Sequence, residues 1–144
     1  MEILSFLIIF VYVIYCVWKN GIPKSLSATY YNNGIWFSIV ILLSTFLIFP
    51  KMLNMTPDNF TFLPFLMGAG ISFVAIAPNF KSDWLDDKVH TVSAIIAFAA
   101  SQIWIALLNP ILLLTWIPFI FVRNNYKFWA ELIMLLTIYE FIWK

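Results

Sequence analysis

Apolar residues run through this chain in long solid blocks, divided by short polar turns rich in Pro, Gly and Asn. A helix needs about 20 apolar residues to cover the about 30 Å of hydrocarbon in a bilayer. Ile3 to Trp18 is the first such block, ended by KNGIP, where Gly21 and Pro23 break a helix. The second runs from about Ile35 to Phe49 and stops at Pro50-Lys51, with the Ser-rich SLSATYY as a helix entry extending its start. The third covers about Phe60 to Ala77 and is stopped by Pro78, and the fourth runs from near Asp87 to Asn109-Pro110. Ile111 to Val122 is short for a crossing and contains Pro118, and the last block runs from about Phe128 to Trp143. Strand barrels need alternating polarity, which these blocks lack. The pattern predicts an all-α, polytopic transmembrane helical bundle forming one integral-membrane domain over 1–144. It has about six spans, or five plus a re-entrant segment.

Composition supports this. The chain is 63% apolar and 10% charged, where a soluble domain is about 45–50% apolar and about 25% charged. A net charge of +1 with no basic run offers nucleic acid no surface. The lone Cys16 excludes an internal disulfide, and Tyr15 before it stands where a lipoprotein signal wants a small residue. The N-terminus opens on Glu2 with no small-x-small cleavage pattern, so it reads as a span and not as a cleaved signal.

Charge sets the expected orientation. With six spans, the odd loops carry Lys19, Lys24, Lys81, Lys88, Arg123 and Lys127, against Lys51 and Lys144 elsewhere. That bias predicts cytoplasmic odd loops and both termini outside, in a bacterial inner (plasma) membrane. Trp18, Trp36, Trp129 and Trp143 near span ends fit an aromatic belt. Asn54-Met-Thr56 and Asn59-Phe-Thr61 match glycosylation acceptors on the expected outer side.

Helices in lipid associate where small residues let backbones approach. The third span offers Gly68, Ala69, Gly70, Ser72, Ala75 and Ala77, and the fourth offers Ser93, Ala97 and Ser101, spaced by four, with Ala94 and Ala100 beside them. These two spans are the expected tight pair. Glu131 and Glu140 lie about one turn from either end of the last span, where snorkelling to the headgroups is the simpler expectation. The sharper expectation pairs Glu140 with Gln102.

The densest polar stretch is KSDWLDDKVH, which holds three of the seven acidic residues and the only histidine. On a helix, Asp83, Asp87 and His90 fall at i, i+4 and i+7, sharing one side. Two carboxylates and an imidazole can hold a divalent metal and leave positions open for water or substrate. Ser25, Ser27 and Tyr30, from the loop on the same expected face, are candidate ligand-binding groups together with His90. As a catalytic set the candidates are Ser27, Asp83 and His90. A plainer account gives Asp86 or Asp87 the role of helix cap, puts Ser25 or Ser27 at the entry to the second span, and leaves His90 at headgroup level.

GIPKSLSATYYNNGIWF, APNFKSD and VHTVSAIIAF resemble a set of small, functionally uncharacterised multi-span membrane proteins of gut Bacteroidetes and their phages. Their pattern maps onto Pro23, Ser25, Ser27, Thr29, Tyr30 and Tyr31, onto Ala77, Pro78 and Phe80, and onto His90 and Ala94. That resemblance implies a multi-span membrane protein and no particular activity. A more distant likeness is to the CREST superfamily of transmembrane hydrolases, which includes alkaline ceramidases. It implies a Ser, Asp and His site with a metal, for which this chain has Ser27, Asp83 and one histidine, His90, where that family has three.

The leading expectation is a non-enzymatic membrane component that binds, assists or forms a channel-like element. It implies no cofactor. Its partners are membrane lipids, with a homo-oligomer or another membrane protein as further candidates. The alternative is a lipid-directed hydrolase using Ser27, Asp83 and His90, with a divalent metal at Asp83, Asp87 and His90. A second alternative is a phage lytic or pore-forming factor.

Overall fold

The computed structural model of the protein describes residues 1–77 and 84–144, and among these every regular element is helical. The elements are α1 (Glu2–Asn20), the single turn α2 (Tyr30–Asn33), α3 (Ile35–Met55), α4 (Phe62–Ile76), α5 (Trp84–Leu108) and α6 (Tyr126–Ile142). Short 3-10 turns at Ser27–Thr29 and Asp58–Phe60 precede α2 and α4, and a 12-residue 3-10 segment, Pro110–Phe121, joins α5 to α6. Glu2–Asn20, Ile35–Met55, Asp58–Ile76 and Trp84–Leu108 are each long and apolar enough to cross a membrane. Bulky apolar side chains point outward all around them, among them Phe46 at 83% and Ile95 at 62% exposure.

Three boundaries differ from the sequence expectation, each for a local reason. The Ser-rich stretch does not extend α3, because Gly34 interrupts the helix at φ 57°, a left-handed conformation that glycine adopts without strain. Helix α3 does not stop at Pro50 but continues to Met55. One lost backbone bond is outweighed there by burial of the next turn, where Met52 is almost fully enclosed. At the start of α5, Trp84 is already helical, so Asp86 and Asp87 occupy the first turn, where the helix dipole favours carboxylates.

Neighbouring helices α1, α3, α4, α5 and the Pro110–Phe121 segment pack side by side in an arc, and α6 packs against α1, α3, α5 and that segment. In α6, nine of seventeen residues are buried, against five of nineteen in α1. The helix that carries Lys127, Glu131 and Glu140 is thus the most enclosed one.

Hydroxyls join the arc to its centre. Ser5 donates to the carbonyl of Ser44 at 2.8 Å, and the Tyr139 hydroxyl lies 2.5 Å from Ser5. A serine hydroxyl has one proton, so Tyr139 is the donor in that second bond. One node therefore ties α6 to α1 and α1 to α3. By the same reasoning Thr29 donates to the Leu26 carbonyl and Tyr12 donates to Thr29, fastening the first loop to α1. The buried Trp104 indole donates to Thr56 at 2.8 Å, and Ser38 donates to the Ala75 carbonyl at 2.6 Å.

The α4–α5 contact matches the expected small-residue pair. A Cβ at Gly70 would lie 2.7 Å from the Ser93 carbonyl oxygen and 2.9 Å from the Ala97 nitrogen. At Gly68 the nearest atom would be the Phe49 ring, at 3.0 Å. Backbone cannot turn aside, whereas a ring can. We expect Gly70→Ala to lose stability by about 1–3 kcal/mol through overpacking, more than the about 1 kcal/mol that alanine gains in helix propensity. Gly68→Ala should cost less. Thermal unfolding in detergent would measure both, and equal midpoints for the two variants would contradict the close backbone contact.

Candidate functional site

The bundle's principal polar site forms where the first loop meets the start of α6. Asn125 enters α6 in a left-handed conformation, which asparagine tolerates, and its side chain donates to the Ile22 carbonyl at 3.3 Å. The loop before α6 is thereby held against the loop after α1. Six residues further on, the Glu131 carboxylate accepts the backbone N–H of Leu26. The backbone N–H of Ser27 lies beside the same carboxyl. These N–H groups open the 3-10 turn and have no helical partner upstream, so a carboxylate from another helix caps them. Ser25 completes the cap locally, accepting the N–H of Ala28 at 3.1 Å and lying 3.2 Å from the Ser27 hydroxyl.

Directly inside this capped turn lies a cavity of about 350 Å³. It opens where α6 leaves the arc unfilled: Ile41 of α3, Ile71 and Val74 of α4, Phe98 of α5 and Met134 of α6 all face it. Ser27, Lys127 and Glu131 make its polar end. Lys127 and Glu131 are four residues apart on α6 and so share one face. Elsewhere on the wall, the hydroxyls of Thr45 and Tyr139 are already donated within the bundle, to the Ile41 carbonyl at 2.8 Å and to Ser5. Two further wall residues, Ile95 and Ala99, are also exposed on the outer surface of α5, so the cavity can be reached from the side. The volume falls in the about 300–1,000 Å³ range of small-molecule sites. An apolar chamber with polar groups at one end suits a molecule that is itself apolar with one polar end.

Of the residues singled out by sequence, Ser27 is in the cavity wall, whereas Ser25 is turned to the loop backbone. Tyr30 packs against the core, its ring edge-to-face with Tyr31 at 5.8 Å between centroids. His90 is buried beside the backbone of Val74, at the contact of α5 with α4. It is not part of the cavity wall, whose α5 residues begin at Ala94. Asp87 is exposed, and Asp83 lies outside the described residues, as do Pro78, Phe80 and Lys81. Among the described residues no group of three His, Cys, Asp or Glu side chains is arranged to hold a metal. The Ser27 hydroxyl has Ser25 as its polar neighbour, and Glu131 meets the Ser27 N–H instead of the hydroxyl.

Two expectations about acidic residues change. Glu131 does not snorkel but turns inward to the first loop. Glu140 does not pair with Gln102. Thr115 donates to Glu140 at 2.7 Å and the Trp116 indole donates to Gln102 at 2.8 Å. Adjacent residues of the Pro110–Phe121 segment thus clamp α6 on one side and α5 on the other. The sequence reading missed the Glu131 cap. Its only signal was an acidic residue in the last span, at the end of the bundle where the Ser-rich turn exposes N–H groups.

No protein-family model, curated protein or solved structure matches the chain. The likenesses noted above therefore rest on sequence motifs alone.

Removing the Glu131 carboxyl leaves the Leu26 N–H without an acceptor. Leaving a buried donor unmet costs about 1–3 kcal/mol, so Glu131→Ala should speed amide exchange at Leu26 by about 5- to 150-fold. Glu131→Gln keeps one carbonyl acceptor and should fall between the two. Hydrogen exchange read by NMR or mass spectrometry would check this, and unchanged protection in Glu131→Ala would count against the cap.

Proposed function

We propose that the protein is a non-enzymatic integral membrane protein that binds an amphiphile with one apolar chain in the cavity between α3, α4, α5 and α6. The chain occupies the apolar chamber, and the polar end meets Ser27 and Lys127. The observation that carries this reading is the cavity of about 350 Å³, with Ser27, Lys127 and Glu131 at one end and a mostly apolar wall elsewhere, where the Thr45 and Tyr139 hydroxyls are donated within the bundle. Its side opening at Ile95 and Ala99 supports entry from lipid, where such molecules are concentrated. Catalysis draws no support from the Ser27 hydroxyl, because a nucleophile needs a base within hydrogen-bond reach or one water away.

The membrane arrangement we propose has six crossings with the odd loops cytoplasmic and both termini outside, in a bacterial-type inner membrane. Four helices of spanning length support it. The contact of Asn125 with Ile22 and of Glu131 with Leu26 supports putting the first and fifth loops on one face. The fifth crossing is the Pro110–Phe121 segment. At about 2.0 Å per residue, 3-10 winding stretches its 12 residues to about 24 Å, against about 18 Å as an α-helix. Extended winding brings a short block closer to the bilayer thickness. Its bonds to Glu140 and Gln102 hold it between α5 and α6.

A photoreactive palmitic acid analogue tests the binding reading. In purified protein it should label wall residues of α5 and α6, between 94 and 99 and between 130 and 135. Ala130→Phe, which puts a ring into the cavity, should abolish that labelling without lowering the unfolding temperature. Labelling spread evenly over the outer surface, or untouched by Ala130→Phe, would sink the proposal.

A further inference from the structure

A second, separate groove lies on the outer face between α1 and α3, with a volume of about 640 Å³. Its floor is apolar, formed by Ile8, Val11 and Val40, and one end is polar, where Lys19, Asn32 and Trp36 gather. We infer that this groove holds one phospholipid with an anionic headgroup, an acyl chain lying along Ile8 and Val11 and the phosphate meeting Lys19. The inference rests on the membrane-spanning reading and not on the cavity.

Charge is the argument. Lys19 stands in the last turn of α1, level with Trp36 and Asn32. Its ammonium donates to the Tyr15 hydroxyl at 3.1 Å and lies 5.4 Å from the centre of the Tyr15 ring. These contacts steer the ammonium over the groove but supply no counter-charge. Among the described residues no carboxylate pairs with it. A cation at headgroup level, set at the end of an apolar channel without a protein anion, is matched by a lipid phosphate. The exposed Asn32 offers its amide beside it, and Trp36, exposed at 65%, gives the amphipathic ring that favours the interface. Asn33 is occupied elsewhere, donating to the Cys16 sulfur at 3.1 Å, so it closes the groove and does not read the headgroup.

Native mass spectrometry of the full chain, titrated with phosphatidylglycerol or with phosphatidylcholine of the same acyl chains, tests this. One phosphatidylglycerol should be retained about five-fold more tightly, the scale of one lysine at an anionic surface. Lys19→Gln should remove that preference, Lys19→Arg should keep it, and Lys24→Gln should leave it unchanged. Ala130→Phe should leave it unchanged too. No headgroup preference, a preference that survives Lys19→Gln, or one lost in Lys24→Gln or Ala130→Phe would overturn the groove. Failure to retain either lipid would overturn it together with the membrane reading, and loss of the headgroup preference alone would leave that reading standing.

Discussion

A polar group buried among apolar side chains has no water to return to, and the arrangement of this bundle follows from that constraint. Tyr139 donates to Ser5, and Ser5 donates to the carbonyl of Ser44, so three helices meet at one hydroxyl chain. An unmet hydrogen-bonding group in hydrocarbon costs several kcal/mol, whereas sliding one apolar side chain past another costs little. Polar groups therefore select among the many packings that apolar surface alone would allow. The same constraint accounts for Trp104 on Thr56 and Trp116 on Gln102.

It also explains why α6 is innermost. Glu131 and Thr137 would be costly on a surface facing lipid. Thr137 is fully buried and donates to the Ile133 carbonyl at 2.7 Å, and Glu131 caps the first loop, while Glu140 stays exposed and receives Thr115. Apolar α1 and α3 face outward instead. In placing Glu131 against the first loop, α6 cannot also fill the space beside α4, and the cavity is what this leaves. Cap and cavity are two results of one choice of partner. Close contact of α4 with α5 at Gly70 then sets the far wall, since two backbones touching there cannot shift inward.

Much of the helical layout was legible from the residues. The blocks at Ile3–Trp18, Phe60–Ala77 and Phe128–Trp143 correspond closely to α1, α4 and α6, because unbroken apolar runs bounded by Gly, Pro and Asn leave little choice of element. The small residues around Gly70 and Ala97 marked the tight pair for a similarly local reason. Pro50 misled, because burial of Met52 was worth more than the bond it removed. The candidate site was legible only at Ser27. His90 drew attention as the only histidine, yet it is buried at the contact of α5 with α4, and the carboxyl that organises the site belongs to Glu131.

From the sequence alone came the helical class, the approximate positions of the helices and the pairing of α4 with α5, since each depends on residues near one another along the chain or on a repeated spacing. The partners of Glu131, Gln102 and Glu140 were decided only by the tertiary structure. Leu26 and Glu131 stand 105 positions apart, and nothing in either local stretch names the other. A carboxylate near a helix end can turn to headgroups, to a neighbouring helix or to a loop. Which one it meets depends on which loops the packing brings together.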